Sequence, residues 1–190
     1  MDLDFTSPST HIILGVENAH PTEKKGIIPP EVHGIEYISI VHYSGEFVTP
    51  LRGTDVSNAL IELLSITRWS RLDFLVLDMP PGIGDVTLDL LRLIKGIRFL
   101  IITTSSVLAF ETVKKLTRLL RDLKTPIIGV VENMKMNRSN IVRNETKKLG
   151  LKLLGEIPYD PMIEAAIGNI CLLRKTLFAK KVQEMKAGIQ

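Results

Sequence analysis

A single cysteine, Cys171, stands among 190 residues. That scarcity excludes a disulfide framework, a cysteine-built zinc site and a self-contained set of iron–sulfur ligands. Long apolar runs are missing too. The stretch from Phe99 to Phe110 carries no charge, but Thr103, Thr104, Ser105 and Ser106 interrupt it, short of the ~20 residues a membrane helix needs. The first residues hold Asp2 and Asp4 where a secretion signal would hold lysines, so the reading is a cytoplasmic protein. Thirteen glycines and 10 prolines without a period exclude collagen-like and mucin-like chains. What is present is 45% apolar and 24% charged residues, enough to bury a core in one domain spanning 1–190.

Net charge is +3, but it is unevenly spread: residues 1–91 hold 5 Lys/Arg against 13 Asp/Glu, and residues 92–190 hold 19 against 8. Basic side chains gather on Glu111–Lys124 (Lys114, Lys115, Arg118, Arg121) and in a C-terminal helix over 174–190 (Lys180, Lys181, Lys186). Solvated helix faces explain both, and neither gives a strong nucleic-acid or membrane signal. The four histidines, His11, His20, His33 and His42, have spacings that suit no metal-ligand motif.

Apolar runs of strand length alternate with segments of helical period. Strands are expected at Ile35–Val41, Phe74–Asp78, Phe99–Thr103, Ile127–Val131 and Leu151–Ile157; unbroken apolar runs suit strands buried on both faces of a parallel sheet. Helices are expected from Thr54 or Asp55 to about Arg68, from Val86 to Lys95 with Asp85 as cap, and from Glu111 to Lys124. Shorter ones are expected over Ser139–Leu149, Pro161–Ile167 and Lys175–Lys186. Val113, Leu116, Leu120 and Leu123 form the apolar stripe of the third. The pattern predicts a three-layer α/β domain, a mostly parallel sheet with helices on both faces. Ligands of such sheets bind beyond the carboxyl ends of strands, which selects Asp78, Thr103-Thr104, Glu132-Asn133 and Pro158-Tyr159-Asp160.

The most specific string is Asp78-Met79-Pro80-Pro81-Gly82-Ile83-Gly84-Asp85. A carboxylate ending an apolar run suits a Walker-B aspartate beside Mg2+, and the Pro-Pro-Gly-x-Gly loop brings backbone close to a phosphate. With Asp2-Leu3-Asp4, Pro8-Ser9, Leu14-Gly15, His33-Gly34, Arg52-Gly53, Gly129-Val130-Val131-Glu132-Asn133-Met134 and Ile157-Pro158-x-Asp160-Pro161, it makes the chain resemble the Mrp/ApbC-type P-loop ATPases. These are iron–sulfur cluster carriers related to MinD and ParA.

The resemblance implies roles. Asp78 would hold Mg2+ through water, and Gly82, Gly84 and Asp85 would form the switch that senses the γ-phosphate of ATP. Asp2 or Asp4 would reach the metal or orient the attacking water, with Asp4 favoured for the water. Asn133 would read adenine through its side-chain amide, and Pro158 and Asp160 would border the base and ribose. It also implies a homodimer, or a heterodimer with an intact paralogue, and iron–sulfur client proteins.

Three departures limit these roles. No glycine is followed directly by lysine, so the Lys-Gly-Gly-x-Gly-Lys-[Ser/Thr] loop and the strand before it are absent from these residues. Lys135-Met136-Asn137-Arg138 stands where the family often carries Cys-x-x-Cys, which puts an iron–sulfur cluster in doubt. Ile83 replaces the usual Thr, and Ser7 the usual Gly. The expectations are therefore a Mrp-type protein of iron–sulfur assembly inactive as an ATPase by itself, a non-catalytic module pairing with an intact paralogue, or a ParA/MinD-like positioning factor. A truncated reading frame, a split protein or a repacked remnant would each produce such a chain. An unpaired hydrophobic edge is expected at Phe74–Asp78.

Overall fold

The computed structural model describes residues 1–16, 19–44, 51, 53–136 and 138–188. Arg52 and Asn137 lie outside them. The chain divides into two compact units, Met1–Leu93 with Ile167–Ile170, and Ile94–Ala166 with Cys171–Gln190.

The first unit carries α1 (Thr10–Leu14), the strand pairs β1 (Thr22–Glu23) with β2 (Ile27–Ile28) and β3 (Glu31–Val32) with β4 (Ile35–Glu36), then α2 (Val41–Ser44), α3 (Thr54–Ile66) and α4 (Asp85–Leu93). Both pairs are antiparallel. Its core includes Leu3, Phe5, Tyr37, Ile38, Leu60, Leu63 and Leu90. The extended segment Met1–Leu3 runs through that core. Asp2 N–H donates to Ile38 O, Leu3 N–H to Asp78 O and Asp78 N–H to Met1 O, each at 2.9 Å.

Two expected strands are cut short here. β4 ends at Glu36 because its partner β3 is a two-residue arm closed by His33 and Gly34, both at positive φ, and Val41 opens α2 instead. The Phe74–Asp78 segment stays irregular apart from a parallel bridge between Asp78 and Asp2. Hydrogen bonds reach this segment from Met1–Leu3, while Phe74 is 61% and Val76 74% exposed. A ladder held at its end does not order the whole strand.

The second unit follows the sequence pattern more closely. Its elements are β5 (Phe99–Thr103), α5 (Val107–Asp122), β6 (Ile127–Lys135), α6 (Ile141–Lys148), β7 (Leu153–Pro158), α7 (Met162–Ala166) and α9 (Leu177–Met185). The short helix α8 (Ile170–Leu173) spans the division between units, and a 3-10 turn covers Lys186–Gly188. β5, β6 and β7 form a parallel sheet in that order.

α5 starts four residues earlier than expected, because Ser106 Oγ accepts the Ala109 N–H and caps it. Its buried face is consequently Phe110, Val113, Thr117 and Leu120, with Leu123 exposed. α9 is likewise capped by Thr176, whose Oγ1 accepts the Ala179 N–H at 3.2 Å. Among the described residues no helix is long and apolar enough to cross a membrane.

Candidate functional site

In the first unit Asp2, Asp4 and Asp78, three of the aspartates singled out by sequence, differ sharply in their surroundings. Asp2 is 2% exposed, and both of its oxygens are engaged: Oδ1 accepts the Asp4 N–H at 3.0 Å, and Oδ2 accepts the Thr10 hydroxyl at 2.5 Å. Thr10 Oγ1 is also 2.8 Å from the Tyr37 hydroxyl. Asp4 folds its own loop, with Oδ1 accepting from Thr6 N (3.2 Å), Thr6 Oγ1 (2.8 Å) and Ser7 N (3.0 Å). Among the described residues no hydrogen bond reaches Asp4 Oδ2 or the Asp78 carboxylate. Asp2 is thus a structural anchor, and Asp4 Oδ2 and the Asp78 carboxylate are open acceptors among the described residues.

Asp78 is an exposed residue at the end of its segment, its carboxyl only partly shielded from water. Burial pushes its carboxyl above the ordinary range; Asp2 and Asp4 add to the rise, and the amino terminus opposes it. That terminus donates to Val76 O at 2.9 Å. An acid with a raised folded-state pKa destabilises the fold once ionised. Stability is therefore lost as pH climbs from the unfolded value through the raised one. The Asp78→Asn protein is expected to melt at a higher temperature than the parent at pH 7, with the difference vanishing below about pH 4. Thermal unfolding followed across pH checks this.

The loop behind Asp78 is exposed from Pro81 through Asp85. Gly82 adopts φ 88°, which a side chain would strain, and open space surrounds both Gly82 and Gly84 where a side chain would stand. Asp85 opens α4, whose buried face is Val86, Thr87 and Leu90.

In the second unit Asn133, Pro158 and Asp160 lie at the carboxyl ends of β6 and β7, where the sequence placed them. Asn133 is half-buried. Asp160 is buried and committed to backbone: Oδ1 accepts Met162 N–H at 3.0 Å, and Oδ2 accepts Phe178 N–H at 3.2 Å. It caps α7 and ties down the start of α9.

The same sheet end holds a charge network that sequence reading missed. Glu132 is fully buried; Ser105 Oγ donates to its Oε1 at 2.6 Å, and Lys135 Nζ donates to its Oε2 at 3.0 Å. Lys135 also lies 3.1 Å from Glu156, which pairs with Arg143 at 3.0 Å. Burial works against the charge on Lys135, but Glu132 and Glu156 outweigh it and its pKa is raised. Burial likewise works against Glu156, and Lys135 and Arg143 pull it down on balance. The available signal was a glutamate closing the apolar run Gly129-Val130-Val131, a position that demands a partner.

Among the described residues no group of three or more His, Cys, Asp or Glu is placed to hold a metal ion. Cys171 is free and exposed.

Comparison with known proteins places the chain in a family and a fold. The family model described as ParA, NUBPL iron-transfer P-loop NTPase, matches residues 1–187. An iron–sulfur cluster carrier protein of Aquifex aeolicus is 33% identical over 179 residues, covering 86% of this chain and 49% of its own length. One of Saccharolobus solfataricus is 36% identical over 183 residues, with 87% and 62% covered. The chain thus spans about half the length of several curated relatives it matches. Among solved structures, a nucleotide-binding protein of Archaeoglobus fulgidus in complex with ADP superposes with a TM-score of 0.67 at 21% identity, covering 99% of this chain and 72% of that one. The cell division ATPase MinD of Pyrococcus furiosus gives 0.65 at 18% identity, with 99% and 83% covered. These two likenesses establish the α/β P-loop NTPase fold.

Proposed function

Because the chain belongs to the ParA-type NUBPL iron-transfer P-loop NTPases, we propose that it serves iron–sulfur cluster assembly, with a nucleotide-binding fold that its own 190 residues do not complete for catalysis. The observation that carries this reading is the pair of open carboxylates, Asp78 and Asp4, held beside an anchored Asp2 and followed by an exposed glycine loop.

The family implies Mg2+ and ATP, and the residues fit the metal. Mg2+ retains several waters and takes one or two carboxylates together with phosphates, so a sparse donor set suits it. Asp78 would hold its water shell, and Asp4 Oδ2 would orient the attacking water by accepting a hydrogen bond from it. Asp2 acts at one remove, fixing Asp4 through its backbone amide. The metal's contribution, when bound, is to neutralise phosphate charge. Gly82, Gly84 and Asp85 supply the loop facing that charge. Asn133 reads the base, and Pro158 borders it, while Asp160 acts by holding the ends of α7 and α9.

Affinity decides how far this goes. Two or three hydrogen bonds at the adenine, each worth ~1 kcal/mol net, fall short of the ~4 kcal/mol of a millimolar complex. The tight phosphate grip comes from a loop of amides at a helix N-terminus, and no Gly-Lys pair is available to build it. A single cysteine likewise cannot ligate a cluster alone, so cluster cargo would be shared with another chain. Isothermal titration of the 190-residue chain with Mg-ATP is expected to show binding weaker than millimolar, and anaerobic reconstitution with iron and sulfide no visible absorption band. Micromolar binding, or a cluster formed by the chain alone, would sink the reading.

A second reading, a module completed by an intact paralogue, is favoured by exposed apolar residues in each unit. These are Phe74, Leu75 and Val76 in the first, and Leu100 and Ile102 of β5 in the second. β5 is an edge strand of its sheet, and such an edge suits an added strand.

A further inference from the structure

β6 and β7 fall out of step at the point where the candidate base-reading residue lies. Glu132 pairs with Glu156 and Lys135 with Pro158, so three steps along β6 match two along β7. The extra residue makes a bulge containing Asn133 and Met134, and Met134 sits at φ 56°, a left-handed conformation unfavourable for a side chain of its kind.

In a regular strand, residues three apart point to opposite faces. Glu132 and Lys135 are three apart, yet Lys135 Nζ reaches Glu132 Oε2 at 3.0 Å and Glu156 Oε1 at 3.1 Å. The bulge is what turns both side chains to one side. The ion pairs, in turn, oppose the straightening that would relax Met134. Ser105 Oγ on Glu132 Oε1 and Arg143 on Glu156 complete the charges at either end. Bulge and ion pairs require each other, and Asn133 lies between the two residues that grip.

We infer that Glu132, Lys135 and Glu156 form an ion clamp that holds the bulge open and so presents Asn133 for base recognition, which makes Lys135 a positioning residue for nucleotide selectivity. The inference rests on the reading that Asn133 meets the base. Its chemical consequence is a preference for adenine over guanine at the N6/N7 edge of the base, where the Asn133 amide accepts from the adenine amino group and donates to N7 while guanine presents two acceptors.

The test is a titration of the 190-residue chain with AMP and with GMP, followed through the Asn133 side-chain amide resonances. The parent is expected to prefer AMP by about fivefold, the value of one hydrogen bond. In Lys135→Met the preference should fall to near unity, and Lys135→Arg should restore it. Glu156→Gln, at the more exposed end of the clamp, should reduce it in part, and it decides the matter if Lys135→Met does not fold. If AMP leaves the Asn133 amide unmoved in the parent, the base-reading assignment falls and the clamp's role in selectivity falls with it. If the parent prefers AMP and the preference survives in folded Lys135→Met, or in Glu156→Gln where that variant decides, the clamp inference alone is overturned.

Discussion

Replacing Glu132 with alanine is expected to lower stability by about 3–5 kcal/mol, the cost of removing one partner from a buried ion pair. Glu132 is fully buried and Lys135 has 13% of its side chain exposed, so neither charge recovers much hydration when the other is lost. Ser105 loses its acceptor at the same time. Glu156 softens the loss by keeping one anion on Lys135, which places the expected value at the lower end of the range. Glu132→Gln should cost less, because its amide oxygen still accepts from Ser105 or Lys135.

The readout is far-UV circular dichroism during thermal unfolding, since the single tryptophan, Trp69, lies in the other unit. A loss of 3 kcal/mol corresponds to roughly 10 °C in a domain of this size. The pH profile adds a second check. Lys135, raised in the fold, stabilises below its unfolded value and loses that contribution as pH rises through the raised one. Glu156, lowered in the fold, stabilises above its unfolded value and loses that contribution as pH falls through the lowered one. A Glu132→Ala protein that melts with the parent would show that the buried pair contributes nothing net.

Legibility in the sequence divides along the same line as the two units. In the second, Phe99–Thr103 is a strand as expected, whereas β6 runs past the end of its apolar run at Val131 to Lys135, so Glu132 and Asn133 lie within it. There, continuous apolar runs meet partners of their own kind, and local pattern and tertiary contact agree. In the first unit, Phe74-Leu75-Val76 carries the same pattern without becoming a regular strand. Periodicity records which residues want burial, while a strand also needs neighbours along its length.

The side-chain networks were illegible for a different reason. Thr10, Tyr37 and Asp2 come from three separate stretches, as do Ser105, Lys135 and Arg143. No spacing rule joins residues that meet only after folding. The sequence string around Asp78 was readable because its chemistry is local: a carboxylate and its glycines follow one another along the backbone.

Asp160→Ala is expected to cost about 2–3 kcal/mol and to leave any nucleotide response of Asn133 nearly intact. The resemblance suggested a role beside the ribose, but the carboxylate accepts two backbone N–H groups, from Met162 and Phe178. Hydrogen bonds to a charged acceptor contribute about 1.5–3 kcal/mol each. The alanine variant lets water reach amides at two helix starts, which returns part of that. Thr176 still caps α9 through the Ala179 N–H, so α7, five residues long and without that second cap, should fray first. Asp160→Asn should fall between parent and alanine, because one amide oxygen can accept while its NH2 group faces the remaining donor. Urea unfolding by circular dichroism measures the loss, and AMP titration of the same proteins measures the response at Asn133. Full stability in Asp160→Ala together with a lost AMP response would return the residue to the ligand and remove it from the scaffold.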